Sequence, residues 1–116
     1  MQRQFCRAKI SHAVVSKSIL HYEGSCGIDS AMLEAADILP YEQILIANVS
    51  TGGRFETYVI PEPAGSGTIN IYGAAARHAS AGDEIIIMAF AFLDEAEARK
   101  FKAPKVIKLK PGNKLP

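Results

Sequence analysis

Residues 85–93 read IIIMAFAFL, an uninterrupted run of nine apolar residues, most of them β-branched or aromatic. Such residues favour a β-strand, and a run without polar alternation is expected for a strand that is covered on both faces. The run therefore predicts a strand that lies in a closed core or at a subunit interface. It is also too short for an α-helix that crosses a bilayer, which needs roughly 20 residues.

Six further segments around this run are rich in β-branched or aromatic residues and are separated by turn residues. They are residues 4–10, 13–20, 43–49, 54–60, 68–71 and 105–109. Short strands at this spacing predict a β-sandwich or a β-barrel. Residues 61–67 contain two prolines and predict a loop, and residues 111–116 predict a poorly ordered tail.

Two short helices are predicted between these segments. Asp29 is expected to cap the first helix and Pro40 to end it. The second is expected to begin at Asp94, where Glu97 completes a capping box, and to run to about Phe101. The chain is thus predicted to be mainly β, with short helices after residue 29 and near residues 94–101.

Length and composition restrict the class of protein. A chain of 116 residues with 48% hydrophobic residues predicts one globular domain, and a formal net charge of +1 gives no sign of nucleic-acid binding. The N-terminus lacks the apolar segment of a secretion signal, so neither secretion nor a membrane partner is expected. Cys6 and Cys26 are too few for a disulfide framework and are interpreted as free thiols of a soluble cytoplasmic protein.

Residues 21–26, HYEGSC, contain a motif of another kind, because Ser25 directly follows Gly24. Glycine has no Cβ, so the backbone can twist until the serine hydroxyl attacks the preceding carbonyl. The resulting ester could undergo β-elimination, and hydrolysis would then leave a pyruvoyl group at position 25. Such a ketone can condense with a substrate amine and draw electrons from the substrate's α-carbon, which is usually the task of a bound cofactor. Most Gly-Ser pairs are turns, so the pair alone is not diagnostic.

The residues around this pair resemble the processing site of the aspartate 1-decarboxylase family, pyruvoyl enzymes that make β-alanine. The resemblance continues in the family's order and spacing to about residue 98, through the motifs NV at 48–49, GRF at 53–55, TY at 57–58, GAAA at 73–76 and GD at 82–83. It implies a double-psi β-barrel, one domain over residues 1–116, and a homotetramer with active sites between subunits. It also implies self-cleavage into a β chain, 1–24, and an α chain, 25–116.

The resemblance implies decarboxylation of L-aspartate to β-alanine and carbon dioxide through a Schiff base with the pyruvoyl group derived from Ser25. The product would feed pantothenate and coenzyme A biosynthesis. Arg54 and Lys9 would bind the substrate carboxylates, and the planar fork of an arginine suits that task. Tyr58 lies on the same strand face as Arg54 and matches the family's proton donor. Thr57 points to the opposite side and matches a threonine that assists self-processing.

The run Gly73-Ala74-Ala75 would bring backbone N–H groups close to the substrate. Tyr22 and Tyr72 are further candidates for the pocket. No metal site is predicted, because the histidines and cysteines have no ligand spacing. A helper protein for maturation is left open.

The chain departs from the family at three positions, where it has Tyr72 for the usual asparagine, Ser11 for a histidine and Ala47 for a frequent tryptophan. Two alternatives therefore stay open. The chain could be a pyruvoyl decarboxylase of another acidic amino acid such as glutamate. It could also be a β-barrel that is never cleaved, in which Ser25 is a turn residue and the pocket binds a small molecule or a partner. Tyr72 is the best support for that second alternative.

Overall fold

The computed structural model of the protein describes all of its residues, Met1–Pro116. Eight strands form one sheet: β1 Gln2–Val14, β2 Lys17–Ile19, β3 Ser25–Asp29, β4 Gln43–Asn48, β5 Arg54–Glu62, β6 Ile69–Tyr72, β7 Glu84–Asp94 and β8 Lys105–Lys108. There are two short α-helices, α1 Ser30–Ala36 and α2 Glu95–Lys100, and one 3-10 helix, Gly73–Arg77. The prediction of a mainly β chain is confirmed. No helix has the length and apolar character needed to cross a membrane.

The sheet curls round on itself. Its strand order is β2-β6-β3-β5-β4-β7-β1-β8. Only Val15 and Ser16 separate β1 from β2, although these strands lie near opposite ends of that order. Neighbouring strands are about 4.8 Å apart, so two residues could not span a flat sheet of this width. The arrangement, with β2 parallel to β6 and β3 parallel to β5, is compatible with a double-psi β-barrel.

The apolar run at 85–93 forms a strand, as predicted: it lies within β7, which pairs with β1 on one side and β4 on the other. Its side chains alternate: Ile85, Ile87 and Ala89 are fully buried in the core. The alternate residues are only partly covered, and Phe92 near the end of the strand is 66% exposed. The expectation of cover on both faces is therefore not met within one chain, because only the inner face meets the core.

The helices begin where they were predicted to begin. Asp29 caps α1 by accepting a hydrogen bond from the Ala31 N–H, and Asp94 forms the predicted capping box with Glu97. Helix α1 nevertheless ends before Pro40. Asp37 takes the left-handed conformation at φ 55° and its N–H turns back to the last carbonyls of the helix, which stops it at Ala36.

Two local predictions are wrong. Strand β3, residues 25–29, was not predicted, although all five of its residues are buried. The tail at 111–116 is not loose. The buried side chain of Asn113 accepts a hydrogen bond from the Val14 N–H and donates to the carbonyl oxygens of Val14 and Gly67, so it holds the tail against the end of β1.

Candidate active site

Ser25, the first residue of β3, lies between two tyrosines. It pairs directly with Tyr72 of β6. Because the next residue of β3 pairs with Val59 of β5, Ser25 also lies beside Tyr58. The serine is only 3% exposed, and its Oγ is 3.5 Å from the Glu23 carbonyl oxygen, which is at the outer limit of a hydrogen bond. The Ser25 residue is thus buried between two tyrosines, and its hydroxyl has no strong hydrogen-bond partner.

The peptide before Ser25 rests against Gly73. Gly73 has φ +76°, and a Cβ at this position would lie 2.5 Å from Gly24 Cα and 3.0 Å from the Tyr22 carbonyl oxygen. Both the left-handed backbone and the close approach require a residue without a side chain. The first glycine of the GAAA motif therefore allows the start of the 3-10 helix to pack directly against the Gly24 backbone.

A cleft of about 380 Å³ opens beside Gly24. It is lined by Gly24, Phe55, Glu56, Thr57, Tyr58, Ala74, Ala75 and His78. Five of the predicted site residues are among these, so the fold brings together the proposed scissile glycine, both residues of the TY motif and two alanines of the GAAA motif. The parallel register also places Thr57 beside Gly24, on the face opposite to Tyr58.

The two predicted carboxylate-binding cations are farther away. Arg54 is exposed at the start of β5, four residues from Tyr58 and on the same face. Lys9 is on β1, which is separated from β3 by the strands β5, β4 and β7. Neither cation forms an ion pair within the chain. Both therefore lack a carboxylate partner within the chain, and neither is among the residues that line the cleft beside Gly24.

Asn48 supports this site and was missed as a functional residue. It is 2% exposed, and its Oδ1 accepts hydrogen bonds from the N–H groups of Ser50 and Thr51 in the turn that leads to Arg54. Its Nδ2 donates to the carbonyl oxygen of His78 at 3.0 Å and to Asp83 Oδ2 at 2.9 Å. The NV and GD motifs are therefore in contact. A buried polar residue at the end of an apolar strand was the available signal.

Cys26, the neighbour of Ser25, is not a competing nucleophile. Its side chain points into the core and is fully buried. Burial, together with the negative charge of Glu62, raises the pKa of the Cys26 thiol to about 12. A buried thiol that holds its proton is a poor nucleophile, which leaves the Ser25 hydroxyl as the candidate next to the Gly24 carbonyl.

Tyr72 and Tyr22 pack together beside the serine. Their ring centroids are 4.8 Å apart. The Tyr72 hydroxyl donates to Glu62 Oε1 and accepts from Asn70 Nδ2, each at 2.9 Å. Burial raises the pKa of Tyr72, and the hydrogen bond to Glu62 raises it further against the opposing effect of Asn70, so the phenol stays protonated. Tyr72, which departs from the family pattern, is thus held by two hydrogen bonds and by its ring contact with Tyr22.

The chain matches the protein family described as aspartate decarboxylase over residues 1–116. It is 54% identical over 115 residues to the aspartate 1-decarboxylase of Methylibium petroleiphilum, covering 99% of this chain and 95% of that protein. The chain belongs to the aspartate decarboxylase family. The aspartate 1-decarboxylases of Syntrophobacter fumaroxidans and Ralstonia pickettii are 52% and 50% identical to it, covering 98% and 99% of this chain and 91% and 95% of those proteins.

Membership of the aspartate decarboxylase family confirms the resemblance drawn from the motifs. The surroundings of position 25 fit the pyruvoyl group that this family implies, since the precursor serine is present, the preceding residue is a glycine and the cleft opens beside it. The role of each individual residue in binding, cleavage or proton transfer stays a prediction.

Proposed function

We propose that this protein is a pyruvoyl-dependent aspartate 1-decarboxylase, a carbon–carbon lyase that converts L-aspartate to β-alanine and carbon dioxide. The observation that carries the proposal is the position of the Gly24-Ser25 pair. In a chain of the aspartate decarboxylase family, Gly24 lines a cleft together with Thr57 and Tyr58, and Ser25 is buried directly behind it.

Maturation begins with attack of Ser25 Oγ on the Gly24 carbonyl carbon, which breaks the peptide C–N bond and forms an ester. Thr57, beside Gly24, donates a hydrogen bond to the carbonyl oxygen as negative charge develops there. Removal of the Ser25 α-proton expels the Gly24 carboxylate and leaves dehydroalanine, whose hydrolysis consumes water and releases ammonia. The products are a chain of residues 1–24 and a chain of residues 25–116 with a blocked N-terminus.

Once formed, the pyruvoyl group supplies a ketone that accepts the electrons released when the α-carboxylate departs. Arg54 and Lys9 provide two positive charges for the two carboxylates of aspartate, and their lack of internal ion pairs supports this task. Ala74 and Ala75 line the same cleft, and their backbone N–H groups would orient the substrate. Tyr58, 38% exposed, donates the proton that replaces the lost carboxylate.

The test combines intact mass with activity. We expect fragments of 24 and 92 residues, the larger lighter than a serine-headed peptide by the mass of one ammonia. Carbon dioxide release from aspartate should exceed that from glutamate, and Ser25→Ala should abolish both cleavage and release. A preference for glutamate would identify a decarboxylase of another acidic amino acid. An active protein with an unbroken chain would overturn the mechanism, and an inactive unbroken one would favour a binding protein.

We further propose a homotetramer with sites between subunits. Two observations support subunit contact: Lys9 does not line the cleft beside Gly24, and Phe90 and Phe92 lie in an open groove of about 490 Å³ whose lining is half apolar and half polar. Mixing Lys9→Ala chains with Ser25→Ala chains tests this arrangement. Random assembly would complete about a quarter of the sites from two subunits, whereas sites built within one chain would stay inactive.

The proposal places the enzyme in the cytoplasm, where the free thiols of Cys6 and Cys26 stay reduced. There its β-alanine would feed pantothenate and coenzyme A biosynthesis. A requirement for a helper protein is tested by timing cleavage of the purified precursor against cleavage in cells. Equal rates would show that the chain matures unaided.

A further inference from the structure

Glu62, at the end of β5, folds back over β3. Its Oε1 accepts the hydrogen bond from the Tyr72 hydroxyl. The same atom would lie only 2.2 Å from a Cβ at position 27, and Cγ and Cδ of Glu62 would lie at 2.9 Å. Gly27 has an ordinary backbone conformation, so its missing side chain serves to leave room for the Glu62 carboxylate.

The Tyr72 hydroxyl is held from two sides, by Glu62 and by the amide of Asn70, and the ring is 9% exposed. The Tyr22 ring packs on this fixed ring and is itself 62% exposed, so Tyr72 is the rigid partner of the pair. Tyr22 stands two residues before Gly24, and its carbonyl oxygen lies against Gly73. A continuous series of contacts therefore runs from the Glu62 carboxylate to the peptide before Ser25.

We infer that Glu62 is a positioning residue for cleavage of the Gly24–Ser25 peptide, acting through Tyr72 and Tyr22. The inference rests on the proposed self-cleavage. Intramolecular attack is fast only when the hydroxyl and the carbonyl carbon are held in a narrow range of geometries, and displacement by about 1 Å is costly. Glu62 fixes the Tyr72 ring, the ring limits the movement of Tyr22, and Tyr22 limits the position of the Gly24 carbonyl.

Glu62 and its contacts lie on the face of the sheet opposite to the core, so a role of Glu62 in positioning the peptide can be distinguished from a role in core packing. Glu62, Gly27 and Tyr72 share the outer face of the sheet. The core side of the same strands is formed by Cys26, Val59 and Ile71, all fully buried and none of them bonded to Glu62. Removal of the Glu62 carboxylate therefore leaves the core packing intact, while the Tyr72 hydroxyl keeps only the hydrogen bond from Asn70.

Three variants break the same contact in different ways. Glu62→Ala removes the acceptor, Tyr72→Phe removes the donor, and Gly27→Ala keeps both groups but displaces the carboxylate. Each should slow cleavage about tenfold, the rate equivalent of about 1.4 kcal/mol. The double variant Glu62→Ala/Tyr72→Phe should be no slower than either single variant, since both remove one shared interaction.

Cleavage is timed on denaturing gels after a pulse of cell-free translation, with melting temperatures measured on uncleaved Ser25→Ala versions. Glu34→Ala, on an exposed turn of α1, is the matched control and should be cleaved at the parental rate. Glu62→Gln retains an acceptor oxygen and should restore most of the rate. Once fully cleaved, Glu62→Ala and Gly27→Ala should reach a kcat within about twofold of the parental value.

The outcomes distinguish this inference from the proposed function. If the parental chain is cleaved and Glu62→Ala and Gly27→Ala match it, only the role of Glu62 is overturned. The same holds if these variants are slow only in proportion to a loss of folded protein, or if the double variant shows the product of the two single effects. A parental chain that is never cleaved would overturn both proposals.

Discussion

Gly73→Ala provides a sharp test of the packing at the scissile peptide. A non-glycine residue in the left-handed conformation costs roughly 1–2 kcal/mol. The new Cβ would also lie 2.5 Å from Gly24 Cα and 2.8 Å from Gly24 N, both of them backbone atoms that cannot rotate away. Forced overpacking of this kind typically costs a further ~1–3 kcal/mol. The total is about 3 kcal/mol of unfolding free energy.

Gly82→Ala is the matched control. Gly82 has φ +90° but no atom within 4 Å of a Cβ position, so its substitution carries the backbone cost without the collision. Both changes are made in Ser25→Ala protein, so that uncleaved chains are compared. With a urea slope of about 1.5 kcal/mol per molar, Gly73→Ala should lower the unfolding midpoint by about 2 M and Gly82→Ala by about half as much. Protein concentration is held constant because association would shift the midpoint.

The second measurement is the cleavage rate of the two variants with Ser25 restored. Gly73→Ala should cleave much more slowly, because its collision falls on the peptide that is broken, whereas Gly82→Ala should match the parental chain. Equal urea midpoints for the two variants would refute the predicted collision. Parental cleavage of Gly73→Ala would show that the contact with Gly24 has no part in maturation.

Three further changes test other parts of the molecule. Tyr58→Phe should still be cleaved on a denaturing gel but should lose a factor of about 10² to 10⁴ in carbon dioxide release, the usual contribution of a general acid. Asn48→Ala removes the four hydrogen bonds of this buried side chain and should lower the unfolding free energy by about 3 kcal/mol in urea titration. It should also lower the affinity for aspartate, because the turn that leads to Arg54 loses its support. Asp29→Asn tests pH dependence. Burial alone would raise the pKa of Asp29, but hydrogen bonds from the N–H groups of Gly67, Gly65 and Ala31 outweigh it and lower the pKa. The ionised Asp29 side chain therefore stabilises the fold above the unfolded pKa of about 3.9, and this stabilisation is lost as the pH falls through the lower folded pKa. At pH 7 the urea midpoint of Asp29→Asn should be lower than that of the parental chain. Between pH 7 and pH ~3 the midpoint of the variant should change less than the parental one.

The strands that could be predicted are those whose side chains themselves favour extended structure. Segments 43–49 and 54–60 are rich in β-branched or aromatic residues and lie within one or two residues of the observed β4 and β5. Strand β3 escaped prediction because Ser25, Cys26 and Gly27 have no such preference. It is a strand because β5 and β6 pair with it on both sides, and pairing of this kind depends on distant parts of the chain.

The ends of elements were less predictable for a related reason. Proline was expected to stop α1, but Asp37 stops it three residues earlier by adopting a left-handed turn. The tail was expected to be loose because it is polar and terminal. Its order comes from one amide, that of Asn113, which satisfies both backbone groups of Val14 almost a hundred residues earlier. No local sequence pattern indicates a hydrogen-bond partner that is so distant in the sequence.

The site shows the same division between chemistry and position. The Gly-Ser pair, the tyrosine of the TY motif and the small residues of the GAAA motif were recognisable because each has a chemical reason for its residue type. The distances between these residues in the folded chain could not be predicted from the sequence. Lys9 is 16 residues from Ser25 in sequence but four strands away in the sheet, whereas Tyr72, 47 residues from Ser25, pairs with it directly. If the protein assembles as the proposed homotetramer, Lys9 would come to the cleft beside Gly24 from another copy of the chain, so assembly would be part of building the active site.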